Sequence, residues 1–188
     1  MINTELFRKM IRRIIGSILR PNQYAKWIGV KVGKGCLINT KHFPTEAYLI
    51  TLGDYVRVAP ETHFFTHGGL WPQRFRHPEL YLEQFGKIQV GDYSYIGEGC
   101  LIMPGVCIGK DCVVGAGSVV TKSVPDGMMV AGNPARIIGK TEDMVQRVAA
   151  RCPVKSKDFY RLKGKDRDNF IKSIPDEFLV HKKTLDPK

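Results

Sequence analysis

Residues 90–124 read VGDYSYIGEGCLIMPGVCIGKDCVVGAGSVVTKSV, and a branched aliphatic residue stands at every sixth position of this stretch. The series is Val90, Ile96, Ile102, Ile108, Val114 and Val120, and glycine follows four of these six residues. An α-helix needs a period of 3.6 residues and a simple strand a period of two. A period of six therefore predicts short strands separated by turns, repeated at a fixed interval.

Three such strands make the sides of one coil of about 18 residues, and stacked coils bury their aliphatic side chains against one another. The fifth position of each six-residue unit is small or medium-sized, as a crowded corner requires. The same period appears earlier in two shorter runs, Val32 and Ile38, and then Leu52, Val58 and Phe64. The sequence thus predicts an all-β fold, a parallel β-helix over residues 28–140.

The period is absent from Gly68 to about Phe85, in a segment rich in aromatic residues and proline. Aperiodic insertions of this length are uncommon in compact domains and are usually functional. We predict a loop over residues 68–89 that leaves the coil and returns to it.

The two ends have a helical pattern. Residues 1–27 are predicted to form an amphipathic helix, with basic residues opposite Leu6, Phe7, Met10, Ile11, Ile14, Ile15 and Ile18. Such a helix either caps the first coil or lies on an anionic membrane. Residues 141–188 are predicted as a basic helical extension, with Thr141 as an N-cap, Pro153 ending the first helix, and short helices around Tyr160, Phe170, Ile174, Phe178 and Leu179.

The composition excludes several classes of protein. The chain has 188 residues and a formal charge of +11, but residues 21–150 hold thirteen Lys and Arg against eleven Asp and Glu. Basic residues concentrated at the two ends argue against a nucleic-acid-binding face and leave peripheral membrane contact open. No stretch approaches the ~20 apolar residues of a membrane span. The five cysteines form no C-x-x-C pair, and we expect reduced thiols in a cytoplasmic protein.

Two segments, VGAGSVVTK at 114–122 and AGNPAR at 131–136, together with the six-residue units, resemble the hexapeptide-repeat acyltransferases. The resemblance implies a left-handed parallel β-helix, acyl transfer from CoA, and a homotrimer with active sites between neighbouring subunits. EAYLITLGD at 46–54 and THGG at 66–69 are similar to a branch of sugar O-acetyltransferases of capsule, O-antigen or exopolysaccharide assembly. Many members of that branch have Asp directly after the histidine, where this chain has Gly68.

The predicted reaction needs a base, because a sugar hydroxyl is a poor nucleophile at neutral pH and an imidazole near neutral pKa removes its proton well. Of five histidines, His67 stands where the coil meets the loop and matches the catalytic histidine of the family. The resemblance also implies that Asn39 holds the acceptor. Glu46 is expected either to orient His67 or to bind the sugar, and Trp71 either to stack on a sugar or to fill an interface.

The resemblance places the acetyl-CoA co-substrate along the late coils, and no metal is expected. The implied contacts are Ala116, Gly117, Thr121, Lys122, Asn133, Arg136 and Lys140. Small residues admit close backbone approach, and cationic side chains suit the phosphates of CoA.

Three alternatives remain open. An amino sugar nucleotide in place of a hydroxyl acceptor would make the protein an N-acetyltransferase, since the same base serves. A metalloenzyme resembling the γ-class carbonic anhydrases would use His63, His67 and His42 as zinc ligands. A non-enzymatic β-helical scaffold would use its basic ends to bind an acidic partner or a membrane.

Overall fold

A computed structural model describes residues 4–151 and 159–175 of the chain. The helices are α1 (Thr4–Ile18), α2 (Pro21–Trp27), α3 (Thr141–Arg151) and α4 (Gly164–Lys172), with 3-10 helices at Ala47–Leu49 and Trp71–Phe75. The strands are β1 (Lys31–Val32), β2 (Leu37–Ile38), β3 (Ile50–Leu52), β4 (Arg57–Val58), β5 (His63–Phe64), β6 (His67–Gly69), β7 (Glu83–Phe85), β8 (Ile88–Val90), β9 (Tyr95–Ile96), β10 (Leu101–Ile102), β11 (Cys107–Ile108), β12 (Val113–Val114), β13 (Val119–Val120), β14 (Met128–Gly132) and β15 (Ala135–Lys140). Most strands have only two residues, as a six-residue period requires.

The chain visits three sheets in turn, and their strands pair parallel except for the last pair, β14 and β15. The first sheet has the order β1-β3-β8-β11, the second β2-β4-β9-β12-β14-β15, and the third β5-β10-β13. Leu101 pairs with Val119 in the third sheet and Tyr95 with Val113 in the second, a step of 18 residues in each case. The three-sided parallel coil predicted from the period is therefore present.

The core consists of the aliphatic series that the sequence predicted. Ile38, Leu52, Val58, Phe64 and every member of the series from Val90 to Val120 are buried, and only Val32, in the first coil, is partly exposed. The predicted small positions point inward beside them, and Cys100, Cys112, Ser94 and Ser118 are buried there. Burial raises the pKa of the Cys100 and Cys112 thiols. The six-residue pattern thus identifies the interior almost residue by residue.

Glycine follows the core aliphatics because the coils approach closely there. A Cβ atom placed on Gly91 would lie 2.6 Å from the carbonyl carbon of Gly109 in the next coil. Real Cβ contacts are essentially never shorter than 3.0 Å. Space, rather than a positive φ angle, therefore fixes this glycine.

Aspartates at one corner of the coil join each turn to the next. The Asp54 carboxylate accepts a hydrogen bond from the backbone N–H of Lys34 (3.0 Å), and the Asp92 carboxylate accepts one from the N–H of Asp54 (2.9 Å). The Lys110 ammonium lies 3.2 Å from Asp92, and the Lys110 N–H donates to Asp126. The Asp54 hydrogen bond and then Lys110 lower the pKa of Asp92. This ladder satisfies backbone donors that the sheets leave unpaired.

The predicted helix over residues 1–27 is two helices, broken before Pro21, because proline favours the first turn of a new helix. The second helix, α2, covers the first coil. Tyr24 and Ala25 are buried, and the Asn22 side-chain amide donates to the Cys36 carbonyl and accepts from the Ile38 N–H. Helix α2 therefore covers the first coil, whereas the amphipathic pattern that led to the prediction of a cap lies in α1.

Helix α1 packs on α2 and the first coil through one side. The Arg12 guanidinium donates to the Pro44 carbonyl (3.3 Å), and Lys41 donates to the Gly16 carbonyl. The apolar residues left exposed are Leu6, Phe7, Met10, Ile14 and Ile18. None of the helices that the structure describes is long and apolar enough to cross a membrane, and contact of α1 with a membrane surface stays a prediction.

The predicted loop at 68–89 contains regular structure. Strands β6 and β7 pair antiparallel, with His67 opposite Phe85, and the 3-10 helix at Trp71–Phe75 lies between them. The main coil resumes with β8 at Ile88. We call residues 67–85 the arm.

The chain divides into two compact units, Met1–Thr141 and Glu142–Lys188. The first ends with the antiparallel pair β14–β15. The predicted N-cap at Thr141 is wrong: its N–H donates to the Gly127 carbonyl, and within the described residues its buried hydroxyl oxygen has no hydrogen-bond partner. In the second unit the Phe159 ring contacts Phe170 at 5.5 Å. The predictions for Pro153, Phe178 and Leu179 lie outside the described residues.

Candidate active site

A histidine and a carboxylate form the centre of the candidate site. The Nδ1 atom of His67 lies 2.7 Å from Oε2 of Glu46. The Glu46 side chain is 20% exposed and the His67 side chain 45% exposed. The carboxylate is thus largely enclosed, whereas the imidazole reaches the surface.

The stacking of the first two coils places Glu46 beside His67. Thr51 pairs with Lys31, a step of 20 residues, so this coil is two residues longer than a regular one. The same step sets Glu46 against Thr66, whose buried hydroxyl donates to Glu46 Oε2 at 3.3 Å. Ala47, the next residue, is fully buried and anchors the backbone of Glu46.

This contact sets the protonation pattern of the ring. A carboxylate only accepts hydrogen bonds, so the neutral imidazole carries its proton on Nδ1 and donates it to Glu46. The lone pair then lies on Nε2, which has no hydrogen-bond partner among the described residues. The arrangement leaves one basic nitrogen facing outward, as a general base requires.

A cleft of about 450 Å³ lies on the arm, and its lining begins at Gly68, the residue after His67. Its lining residues are Gly68, Gly69, Leu70, Tyr81, Leu82, Gln84 and Pro104. The Phe85 ring lies 5.9 Å from the His67 ring and braces it from the opposite strand. A cleft with an apolar lining, two glycines and one amide has room for a small polar acceptor. His67 itself is not a lining residue, but it directly precedes Gly68 on the arm.

Trp71 and Asn39 lie apart from this cleft lining. Trp71 is exposed on the arm, with its ring 5.1 Å from Phe75 and under the Arg74 guanidinium at 4.8 Å. Asn39 follows β2, where its backbone N–H donates to the Val58 carbonyl. Asn39 thus lies at the corner between the second and third sheets, whereas His67 follows the third sheet. Within the described residues, Asn39 and His67 are not in contact.

The residues implied to contact CoA are all exposed. They lie at several places on the late coils, and only Ala116 and Gly117 share a corner. These two lie between the second and third sheets, and Thr121 and Lys122 follow the third sheet, as His67 does. Asn133 lies in the β14–β15 turn, before a cis proline. On β15, the Arg136 guanidinium donates to its neighbour's carbonyl, and Lys140 is the last residue. Exposed cations and small residues fit a phosphate-bearing ligand.

The three histidines considered as zinc ligands are not brought together as a set. His42 and His63 are stacked, with ring centroids 4.1 Å apart, whereas His67 is bonded to Glu46. His42 Nε2 lies 3.1 Å from Oε2 of Glu61 instead. Partial burial, and then the proximity of His42, lower the pKa of His63, while Glu61 acts in the opposite direction.

Reasoning from the sequence missed several features of the site. Thr66 and Phe85 contact Glu46 and His67, and Pro104 enters the cleft from the next coil. The repeat gave no signal for Thr66, which is the third residue of its six-residue unit rather than the small fifth one. Nothing in the pattern indicated Phe85, because the pairing of the arm depends on an irregular segment.

Comparisons with known proteins agree with this fold. Residues 87–122 match the model of the family described as bacterial transferase hexapeptide (six repeats). Protein CapG of Staphylococcus aureus is 36% identical over 142 residues, which cover 73% of this chain and 78% of CapG. The galactoside O-acetyltransferase of Escherichia coli (strain K12) is 32% identical over 124 residues, 65% of this chain and 60% of that protein.

A similar solved structure is the maltose O-acetyltransferase from Clostridium difficile 630. It matches with a TM-score of 0.57 and 26% identity, over 71% of this chain and 84% of that chain. Repeat, coil and relatives agree on one assignment. The chain belongs to the hexapeptide-repeat acyltransferases, and it is an acyltransferase that resembles the sugar O-acetyltransferases among them.

Proposed function

We propose that the protein transfers an acetyl group from acetyl-CoA to a sugar hydroxyl, with His67 as the general base. The observation that carries the proposal is the 2.7 Å contact between His67 Nδ1 and Glu46 Oε2 beside an open cleft. The galactoside and maltose O-acetyltransferases among the similar proteins support a sugar as acceptor. The resemblance of residues 46–54 and 66–69 to sugar O-acetyltransferases of capsule, O-antigen or exopolysaccharide assembly supports a role in surface polysaccharide synthesis.

Acetyl-CoA supplies an activated thioester carbonyl and a thiol that leaves readily. His67 Nε2 takes the proton of the acceptor hydroxyl as the new O–C bond forms, and the resulting imidazolium returns that proton to the departing sulfur. Glu46 is a positioning residue: it holds Nδ1–H and offsets the positive charge that develops on the ring. Ala116 and Gly117 would admit the pantetheine arm, and Thr121, Lys122, Asn133, Arg136 and Lys140 would hold the nucleotide end.

We also propose a left-handed coil and a homotrimer, both implied by the family. The distribution of the candidate residues supports the trimer. Asn39, Ala116 and Gly117 lie at one corner of the coil and His67 at another. A trimer sets a corner of one subunit against a corner of the next, so that a complete site forms only between subunits. Sedimentation velocity should give three chains per particle, and a monomer that retains full activity would contradict the proposal.

The decisive experiment follows thiol release from acetyl-CoA with a panel of neutral sugars, amino sugars, nucleotide sugars and sugar acceptors on lipid carriers. We expect release to depend on one hydroxyl-bearing class and to yield an O-acetyl ester. An amide product from an amino sugar would instead establish the N-acetyltransferase alternative. Absence of release with every acceptor, together with no thermal stabilisation by CoA, would reject acyl transfer from CoA and favour a scaffold.

A further inference from the structure

Two imidazoles and a carboxylate meet on the outer side of the third sheet, apart from the His67–Glu46 pair. Nε2 of His42 lies 3.1 Å from Oε2 of Glu61, and the His63 ring is stacked on His42. One ligand atom from each of the three residues lies within 4.8 Å of the other two. We call His42, Glu61 and His63 the His42 cluster.

The cluster joins two coils. His42 belongs to the first coil and His63 to the second, and the backbones meet where the Phe64 N–H donates to the His42 carbonyl at 3.3 Å. Glu61 stands at the corner two residues before His63. Glu61 and His63 thus come from one short segment of the second coil and His42 from the first, so a shared ligand would tie the first coil to the second.

The cluster is accessible from solvent. The His42 and Glu61 side chains are 44% and 69% exposed, and His63 is partly buried beneath His42. Strand β5 holds His63 in place, and the more exposed side chains of His42 and Glu61 reach toward it. A cation of small radius can therefore enter without opening the coil.

We propose that the His42 cluster binds one divalent first-row transition cation, of the class to which Zn²⁺ belongs. Two nitrogens and one carboxylate oxygen are a donor set that Zn²⁺ accepts, with bonds of about 2.0–2.2 Å and a water at the fourth position. Ligand atoms of a tetrahedral zinc then lie about 3.3 Å apart, close to the distance already present between His42 and Glu61.

One rearrangement is needed. The two rings are inclined by only 12°, so a cation cannot lie in both ring planes at once. The terminal torsion of histidine is broad, and a turn of one imidazole about its Cβ–Cγ bond brings its nitrogen toward the other two ligands. Acyl transfer does not use this site, because none of its ligands contacts His67 or Glu46.

The test uses the full chain, freed of metal by a chelator and titrated with zinc chloride in a calorimeter, with the melting temperature measured in parallel. All variants carry Cys107→Ser, which removes an exposed thiol as a competing ligand. We expect one zinc per chain and a rise in melting temperature, because a ligand that binds only the folded state stabilises it. His42→Ala and His63→Ala should each remove both effects, and Glu61→Gln should weaken binding.

Two matched controls locate the site. His77 and Glu79 form another exposed pair, 3.8 Å apart, so His77→Ala should bind zinc as the parent does. His67→Ala should also keep zinc binding while losing acyl transfer. Circular dichroism without metal verifies that each variant is folded. If an alanine variant fails to fold, Glu61→Gln, which preserves the shape of the side chain, still tests the site. Three results would overturn the proposal. They are the absence of zinc binding in the parent, its survival in His42→Ala and His63→Ala, and its loss in His67→Ala.

Discussion

Glu46 lies one coil before His67 and meets its Nδ1 atom at 2.7 Å. The branch of sugar O-acetyltransferases that the sequence resembles leads us to expect an aspartate directly after the histidine, and Gly68 occupies that place here. The carboxylate in this chain therefore reaches the imidazole across the stack of coils rather than along the strand. A buried threonine, Thr66, steadies the same carboxylate oxygen from the neighbouring position.

Replacing His67 by alanine should lower kcat by about a hundredfold or more, the usual range for loss of a general base. His77→Ala serves as the matched control, because His77 is also exposed and lies near a glutamate, but that glutamate is Glu79 rather than Glu46. Steady-state rates of thiol release measure both variants. A His67→Ala enzyme with near-normal kcat would eliminate the proposed role.

Glu46→Gln should lower kcat by about tenfold to a hundredfold and leave the KM for acetyl-CoA unchanged, because it removes the charge that favours the reacting ring. Nitrogen NMR of the imidazole gives an independent readout. The parent should show a proton on Nδ1, and the variant a mixture of tautomers. Unchanged tautomers together with unchanged kcat would show that Glu46 has no positioning role.

Gly91→Ala should destabilise the coil by about 1–3 kcal/mol, since its methyl group would overlap the backbone of Gly109 and Lys110 in the next coil. Gly68→Ala is the control, because a Cβ atom there has no heavy atom within 4 Å. Melting temperatures at one protein concentration should fall for the first variant only. Equal melting temperatures would mean that the coils adjust freely, against the close packing described above.

Asp92 should make the protein sensitive to acid. The pKa of Asp92 in the folded state lies below the ordinary value of 3.8. Its contribution to the stability of the fold is therefore present above that value and is lost as pH falls through the folded-state pKa. Asp92→Asn keeps the oxygen that accepts from the Asp54 N–H but removes the charge facing Lys110. The melting temperature of the parent should exceed that of the variant at pH 7, and the difference should shrink below pH ~4. A difference that is constant with pH would contradict the assignment.

The cysteines should differ sharply in reactivity. Cys107 is exposed, whereas Cys100 and Cys112 are buried, with thiol pKa values raised by burial. A disulfide reagent at pH 8 should modify Cys107 rapidly and leave the two buried thiols intact until the protein unfolds. Mass spectrometry of peptides identifies the modified residues. Rapid modification of Cys112 in folded protein would show that the coil opens at that corner.

The sequence predicts the interior of this fold well because the repeat is strict. Each aliphatic residue from Val90 to Val120 fills the same place in successive coils, so its burial follows from phase alone. The N-terminal helix was less predictable. The i, i+3, i+4 pattern of Leu6 to Ile18 indicates a helix correctly, but capping depends on Tyr24 and Asn22, which have no periodic signal.

The site was predictable only in part, for a related reason. His67 was identified by its place at the end of the coil and by its family motif, both local features. Its contact with Glu46 depends on a first coil two residues longer than a regular one, and no repeat in that segment reveals the register. The stacking of His42 on His63 has the same origin, because it depends on the same step between coils.

The arm interrupts the chain but not the coil. Arg57 pairs with Tyr95 and His63 with Leu101, each 38 residues later, so both sheets continue in register past the insertion. The ends of the arm, His67 and Phe85, are paired neighbours. A change in the length of the arm between these two residues therefore need not alter the pairing of the coils on either side of it.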